Sequence, residues 1–261
     1  MSWRPGPPVV PEGVPGRTKA ERVRGMFGRI VPRYDPMNRL MTLGLDRSWR
    51  REAARLAAPA GGRVLDVGTG TGDLALAVLD AGARQVVGLD FVDAMLAVAR
   101  RKADRSGHAR DLTLVQGDAL RLPFADRAFD GVVNGFVLRN VEDVPTFFRE
   151  AARVIKPGGR LVCLEITHPP RGLAPLFHVY FDRLVPIVGA LVTGESSAYR
   201  YLPASLGPLP DVEALAGLVR AAGFGKVRYR RLSLGLVTVH VKYQLRSNDV
   251  PSEGSPTRRA I

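Results

Sequence analysis

The stretch Val64-Leu65-Asp66-Val67-Gly68-Thr69-Gly70-Thr71-Gly72-Asp73 decides the fold. An apolar run of strand length meets glycines at alternate positions, and Leu74 to Leu79 then continues as a helix. Glycines in such a turn admit φ > 0 and let a ligand approach backbone N–H groups. A phosphate-cradling P-loop ends in Gly-Lys-Ser/Thr, which is absent, and a dinucleotide fingerprint would place a glycine where Asp73 stands. No lysine or arginine lies in the turn to meet a pyrophosphate. A cationic nucleoside without phosphate suits this turn, and S-adenosylmethionine (SAM) is the common one.

Outward from the turn the chain alternates strand and helix. Strands are expected at Gln85–Asp90, Leu112–Gln116, Phe129–Asn134 and Arg160–Ile166, the last after a Lys156-Pro157-Gly158-Gly159 turn. Helices are expected over 94–103, 144–155 and 212–222, and strands 226–232 and 236–243 around Ser233-Leu234-Gly235 form an edge hairpin. This rhythm predicts an α/β, Rossmann-like, mostly parallel seven-stranded sheet with a C-terminal antiparallel hairpin. Ligands of open α/β sheets bind outside the carboxyl ends of the strands, which singles out Asp66, Asp90, Asp118, Asn134 and Glu165.

An acid ending the second strand, as Asp90 does, accepts hydrogen bonds from both ribose hydroxyls of an adenosine. Asp118 is placed to take the adenine amino group and the Ala119 N–H a ring nitrogen, while the turn with Gly68 and Gly70 holds the amino-acid end of SAM. Each acid alone could cap the next helix. Together, and in this order, they point to a class I SAM-dependent methyltransferase. The Asn134-Gly135-Phe136 run lacks the Pro-Pro-aromatic sequence of DNA amino-methylating enzymes. The single cysteine, Cys163, falls in an apolar strand and suits neither cytosine-C5 chemistry nor a disulfide framework.

The flanks carry further expectations. Residues 1–17, with five prolines in the first sixteen, and 246–261 read as disordered tails around one domain over 18–245. Thr18-Lys19-Ala20-Glu21 has capping-box spacing, and Val23, Met26, Phe27 and Ile30 share a helical face, so a helix is expected to end before Pro32. With a second helix from Asp46 to about Ala57, residues 18–60 form a helical cap over the ligand mouth. Residues 168–205 read as inserted lid helices, since Asp182-Arg183 and two prolines interrupt the apolar run 173–193 too often for a membrane span.

The net charge is +13, and residues 1–60 hold 12 basic against 5 acidic residues. No aromatic-interleaved basic platform accompanies this excess, so nucleic acid is not the expected partner; a basic face toward an anionic membrane surface and plain solvation of an arginine-rich chain both fit the charge. No signal-peptide pattern is present, which gives an expectation of a cytoplasmic protein, peripheral at the inner face of the cell membrane.

Several separated motifs carry a family resemblance over 22–244. Tyr34-Asp35-Pro36-Met37-Asn38 with Thr42, Asp46 and Trp49, the run Phe136-Val137-Leu138-Arg139-Asn140, Arg153 through Glu165-Ile166-Thr167, and Tyr199-Arg200-Tyr201-Leu202-Pro203 resemble the UbiE/MenG (COQ5) C-methyltransferases of ubiquinone and menaquinone biosynthesis. Thr stands for the family's Ser at 42, Asp for its His at 46, and Gly135 where a family serine contacts SAM. The resemblance implies SAM contacts at Thr71, Asp90, Asp118 and Ala119, no metal, and methylation of a demethylated polyprenyl quinol. Demethylmenaquinol is the expected acceptor, with the ubiquinone pathway, both pathways, or another small aromatic or lipid acceptor as alternatives. An aromatic carbon becomes nucleophilic when a ring hydroxyl loses its proton, so Arg139 is expected beside the quinol oxygen and Asn140 at the ring or a relaying water. Tyr34, Asp35, Asn38 and Tyr201 are expected to line the substrate pocket, His168 and His178 are weaker base candidates, and a homodimer is an open expectation.

Overall fold

The chain has 261 residues, of which the computed structural model describes 19–167, 172, 175, 177, 179–185, 187 and 209–244. Both expected tails, most of the expected lid, Tyr201, His168 and His178 lie outside the described residues.

Chain order is α1 (Lys19–Met41), α2 (Asp46–Ala57), β1 (Arg63–Val67), α3 (Asp73–Asp80), β2 (Gln85–Asp90), α4 (Asp93–Ser106), β3 (Leu112–Gln116), β4 (Phe129–Gly135), α5 (Val144–Val154) and β5 (Ile155–Ile166). A short helical segment, Val179–Leu184, follows, then α6 (Val212–Ala221), β6 (Phe224–Leu232) and β7 (Val237–Gln244). The seven strands form one sheet in the order β3-β2-β1-β4-β5-β7-β6. The first five run parallel and β7 is antiparallel to both neighbours, so the expected sheet and edge hairpin are present.

Strand alternation builds two apolar layers. Val64 and Val133 pack with Trp49, Ala53 and Val78 under α2 and α3. Their neighbours Leu65 and Val132 pack with Phe147, Phe148 and Leu215 under α5 and α6. Register between β1 and β4 pairs Asp66 with Val133, and between β1 and β2 pairs Asp66 with Gly88, so the strand-end acids rise at one edge of the sheet.

Two expectations need correction. α1 does not stop at Pro32: it runs 23 residues through Pro32 and Pro36. Both prolines are exposed and four residues apart, so the carbonyls of Gly28 and Pro32, which lose their N–H donors, lie on the water-facing side. The opposite face, Met26, Ile30 and Met37, packs with Val185, and that burial holds the helix together across the breaks. β5 begins earlier than expected, at Ile155 opposite Phe129; the glycine turn is a bulge inside it, with Gly158 at φ +79°, and pairing resumes at Arg160.

Candidate functional site

The glycine turn is fixed by backbone geometry. Gly68 takes φ +70°, and a Cβ there would stand 2.3 Å from Val137 Cγ2. Gly72 caps α3 at φ +85°, with Ala99 Cβ 3.0 Å from where a side chain would begin. Gly68 and Thr69 donate their N–H groups to the Leu89 carbonyl at 2.7 and 2.9 Å, which hangs the turn on β2. Beneath it, Asp66 is fully buried and accepts from the Thr69 hydroxyl at 2.8 Å through Oδ2, while Oδ1 has no protein partner. Burial pushes its carboxyl up to about 7.

A cavity of ≈ 250 Å³ opens at the carboxyl ends of the strands, lined by Gly68, Gly70, Asp90, Asp118, Ala119 and Asn140. Asp90 accepts from the N–H groups of Gly70 at 2.8 Å and Val92 at 2.9 Å, and burial raises its carboxyl above the usual range. A carboxylate has about four acceptor sites, so capacity remains for ribose hydroxyls. Asp118 accepts from Leu120 N–H at 2.8 Å. The Asn134 amide is buried without a protein partner, one residue before the Gly135 that lines the cavity. The donor set fits SAM: acids without a basic phosphate ligand line the cavity, and unpartnered buried polar atoms of Asp66 and Asn134 lie at the ends of the strands beside it. A Cβ at Gly135 would lie 3.1 Å from Leu74 Cδ2, so Leu74 presses on the space a serine would need.

Thr71, which lines the narrow cleft at the glycine turn, and Asp35 share a polar network. The Thr71 hydroxyl donates to Asp35 at 2.6 Å, and Lys102 reaches Thr71 at 3.0 Å, Asp35 at 2.6 Å and Asp73 at 2.5 Å. This network ties α1 to the glycine turn and to α4. Asp35 is not among the residues lining the apolar cavity described next, whereas Tyr34 and Asn38 are.

That second cavity, ≈ 370 Å³ and largely apolar, lies between α1, α2, the segment after β4 and the β6–β7 hairpin. Phe177 and Tyr180 close one side, where the Tyr180 hydroxyl donates to the Met41 carbonyl. Its charged groups are Arg50, Arg139 and Asp46. Asp46 is buried, pairs with Arg50 one turn on and accepts from the Thr42 hydroxyl at 3.0 Å. Arg139 Nη1 stands 3.5 Å from Oε1 of Glu165, itself fully buried, which also accepts from Leu138 and Ile166 N–H groups. Burial raises the Glu165 carboxyl, against the pull of the Arg139 charge.

Phe136 joins the two cavities. It lines both, sits at φ +61°, and has the Arg50 and Arg139 guanidinium carbons 5.6 and 5.8 Å from its ring centre. Trp49 meets the ring edge-on. Tyr34 also lines both cavities and the narrow cleft at the glycine turn. Asn140 lines the ≈ 250 Å³ cavity, its amide donating to the Phe136 carbonyl at 3.3 Å. It does not cap α5, a place taken by Asp143.

Arg50 and Lys102 went unnoticed in the sequence. Arg50 carries a signal, an acid four residues earlier at Asp46; Lys102 carries none, because its partners come from two separate segments, Asp35 in α1 and Thr71 with Asp73 at the glycine turn. Among the described residues, no group of three or more His, Cys, Asp or Glu could hold a metal ion.

Residues 16–244 match the model of the ubiE/COQ5 methyltransferase family. A demethylmenaquinone methyltransferase of Thermus thermophilus is 48% identical over 83% of this chain and 98% of its own, and one of Deinococcus radiodurans is 46% identical over 85% and 92%. A ubiquinone/menaquinone biosynthesis C-methyltransferase UbiE of Paracoccus denitrificans is 40% identical over 88% and 93%. Among solved structures, the [4+2]-cyclase SpnF superposes with TM-score 0.65 at 19% identity over 90% of this chain and all of its own. A SAM-dependent methyltransferase of Thermotoga maritima superposes with TM-score 0.62 at 20% identity over 84% and 98%. These last likenesses concern the fold alone, the class I methyltransferase fold.

Proposed function

The chain belongs to the ubiE/COQ5 methyltransferase family, and on that premise we propose that it methylates a ring carbon of a demethylated polyprenyl quinol, demethylmenaquinol above all. The observation that carries this reading is the meeting of two cavities at Tyr34 and Phe136, one lined with acids and one apolar with a cationic wall.

SAM would be held by Asp90, Asp118, the Ala119 N–H and the turn at Gly68 and Gly70, and it supplies an electrophilic methyl group. The remaining chemistry belongs to the chain's own residues. Arg139, kept in place by Glu165, presents positive charge to a ring hydroxyl, lowers its pKa and raises electron density at the neighbouring ring carbon. Asn140 holds the Phe136–Arg139 turn through the Phe136 carbonyl and fixes the ring's approach. The apolar walls exclude water and accept the first isoprene units of the tail.

The naphthoquinol is preferred over the benzoquinol because the two most similar relatives described above bear the demethylmenaquinone name. The name of the Paracoccus relative supports the second reading, an enzyme that serves both pathways. Among the described residues no helix is long and apolar enough to cross a membrane, so the substrate is taken to be reached at a bilayer surface.

Reduced demethylmenaquinol and its oxidised quinone, each offered with methyl-labelled SAM, test the reading. Label is expected in the quinol alone, on a ring carbon, and label on oxygen or in neither compound would overturn it.

A further inference from the structure

The mouth of the apolar cavity is built from leucines that face water. Leu43, between α1 and α2, is 83% exposed; Leu234, in the β6–β7 hairpin, is 80% exposed; Leu45 is 47% exposed; and all three line the same cavity. Leu234 is 189 or more residues from the other two in sequence, so the cluster is a product of the fold. Both of the most exposed leucines also take the left-handed backbone region, Leu43 at φ 51° and Leu234 at φ 56°. That region costs a leucine about 1 kcal/mol, and asparagine or glycine avoids the cost. An exposed leucine gains nothing from burial within the chain. Two such residues at one rim are therefore explained by something outside it.

The charge around the rim indicates what that is. Arg47 and Arg51 lie one turn apart on the exposed face of α2 directly after Leu45, Arg39 is exposed in the last turn of α1, and Arg231 is exposed just before the hairpin turn. The acids of α2 are already engaged, Asp46 by Arg50 and Glu52 by Arg230 and Arg55. Basic side chains around an apolar rim complement an anionic bilayer, with arginines at the headgroups and leucines in the acyl boundary.

We propose that the rim formed by Leu43, Leu45 and Leu234 inserts into an anionic lipid surface, so that the cavity opens directly onto the acyl layer. This rests on the quinol reading for its purpose, because a polyprenyl tail then slides from bilayer to cavity without crossing water. It does not rest on that reading for its test.

The experiment is flotation with vesicles of phosphatidylglycerol and phosphatidylcholine, and with phosphatidylcholine alone, using wild type and the double variant Leu43→Asn/Leu234→Asn. Asparagine accepts φ > 0, so the variant is expected to melt at or above the wild-type temperature, which separates lost binding from lost folding. Wild type is expected to bind the anionic vesicles, and the double variant at least about tenfold less, given the transfer energy of two leucine side chains. Arg47→Glu/Arg51→Glu is expected to lower binding to anionic vesicles by a similar factor and to flatten its dependence on salt. Equal binding by wild type and the asparagine variant, or no binding by wild type, would overturn the proposal. So would a wild-type dimer that the asparagine substitutions dissociate, which would give the rim to a second copy of the chain. Methylation of a water-soluble, short-tailed quinol by wild type in detergent-free buffer would leave the proposed reaction standing in each of these cases.

Discussion

Arg139 Nη1 lies 3.5 Å from Oε1 of Glu165, a carboxylate with no exposed surface whose other oxygen accepts the Leu138 N–H. One buried acid therefore fixes both the backbone before Arg139 and the direction of its guanidinium. Glu165→Gln removes the charge and keeps the shape. It is expected to lower kcat at least tenfold while the KM for SAM stays within about twofold, because the pair faces the acceptor side. Uncovering Arg139 should also cost about 3 kcal/mol of stability. Steady-state kinetics and chemical denaturation check this, and an unchanged kcat would separate Glu165 from the chemistry.

Asp66 carries a pH signature. Its carboxyl titrates near 3.8 when unfolded and about 7 in the fold, so the fold keeps a proton that the unfolded chain releases. The stability due to that proton is complete below the unfolded value and lost as pH rises to 7, a change on the order of 4 kcal/mol. Wild-type Tm is expected to fall between pH 5 and pH 7 through this group, and Asp66→Asn to flatten that slope. Parallel melting curves across the range would contradict the burial argument.

Asp90→Asn is expected to weaken SAM binding by about 2–3 kcal/mol, since hydrogen bonds to a charged acceptor are replaced by weaker ones. Isothermal titration reads it directly. The amide can still accept one of the two N–H groups that Gly70 and Val92 now donate to Asp90, so the fold should survive.

Gly68→Ala would put a methyl 2.3 Å from Val137 Cγ2 at φ +70°. A destabilisation of about 2–4 kcal/mol is expected, seen as a Tm loss of about 5–10 °C.

Lys102 is the knot that joins α1, the glycine turn and α4 through Asp35, Thr71 and Asp73. Lys102→Ala should loosen α1 over the cofactor cavity. Faster proteolysis within α1 and faster SAM dissociation are expected, with β-sheet content by circular dichroism unchanged.

Much of this was legible in the chain because its signals are local. The β2 and β3 boundaries follow from apolar runs ended by an acid or glycine, and Asp90 and Asp118, placed at strand ends by those boundaries, line the ≈ 250 Å³ cavity there. What was not legible depends on contacts across the chain. Pro32 and Pro36 look like stops until the burial of Met37 against Val185 is known. The hold of Thr71 and Lys102 on Asp35 joins distant segments, and nothing local in the sequence announces it. Glu165 reads as a strand-end acid, but nothing in its sequence neighbourhood pairs it with Arg139.

The central claim is methyl transfer to a quinol ring carbon at the junction of Tyr34 and Phe136, with Arg139 as the activating cation. The most direct measurement is single-turnover transfer from labelled SAM to reduced demethylmenaquinol and to a demethylated benzoquinol precursor, by wild type and Arg139→Met. Wild type is expected to methylate the naphthoquinol at carbon, and Arg139→Met to bind SAM normally while losing at least about a hundredfold in rate. Wild-type rates in Arg139→Met, or SAM binding without product from either quinol, would contradict the account.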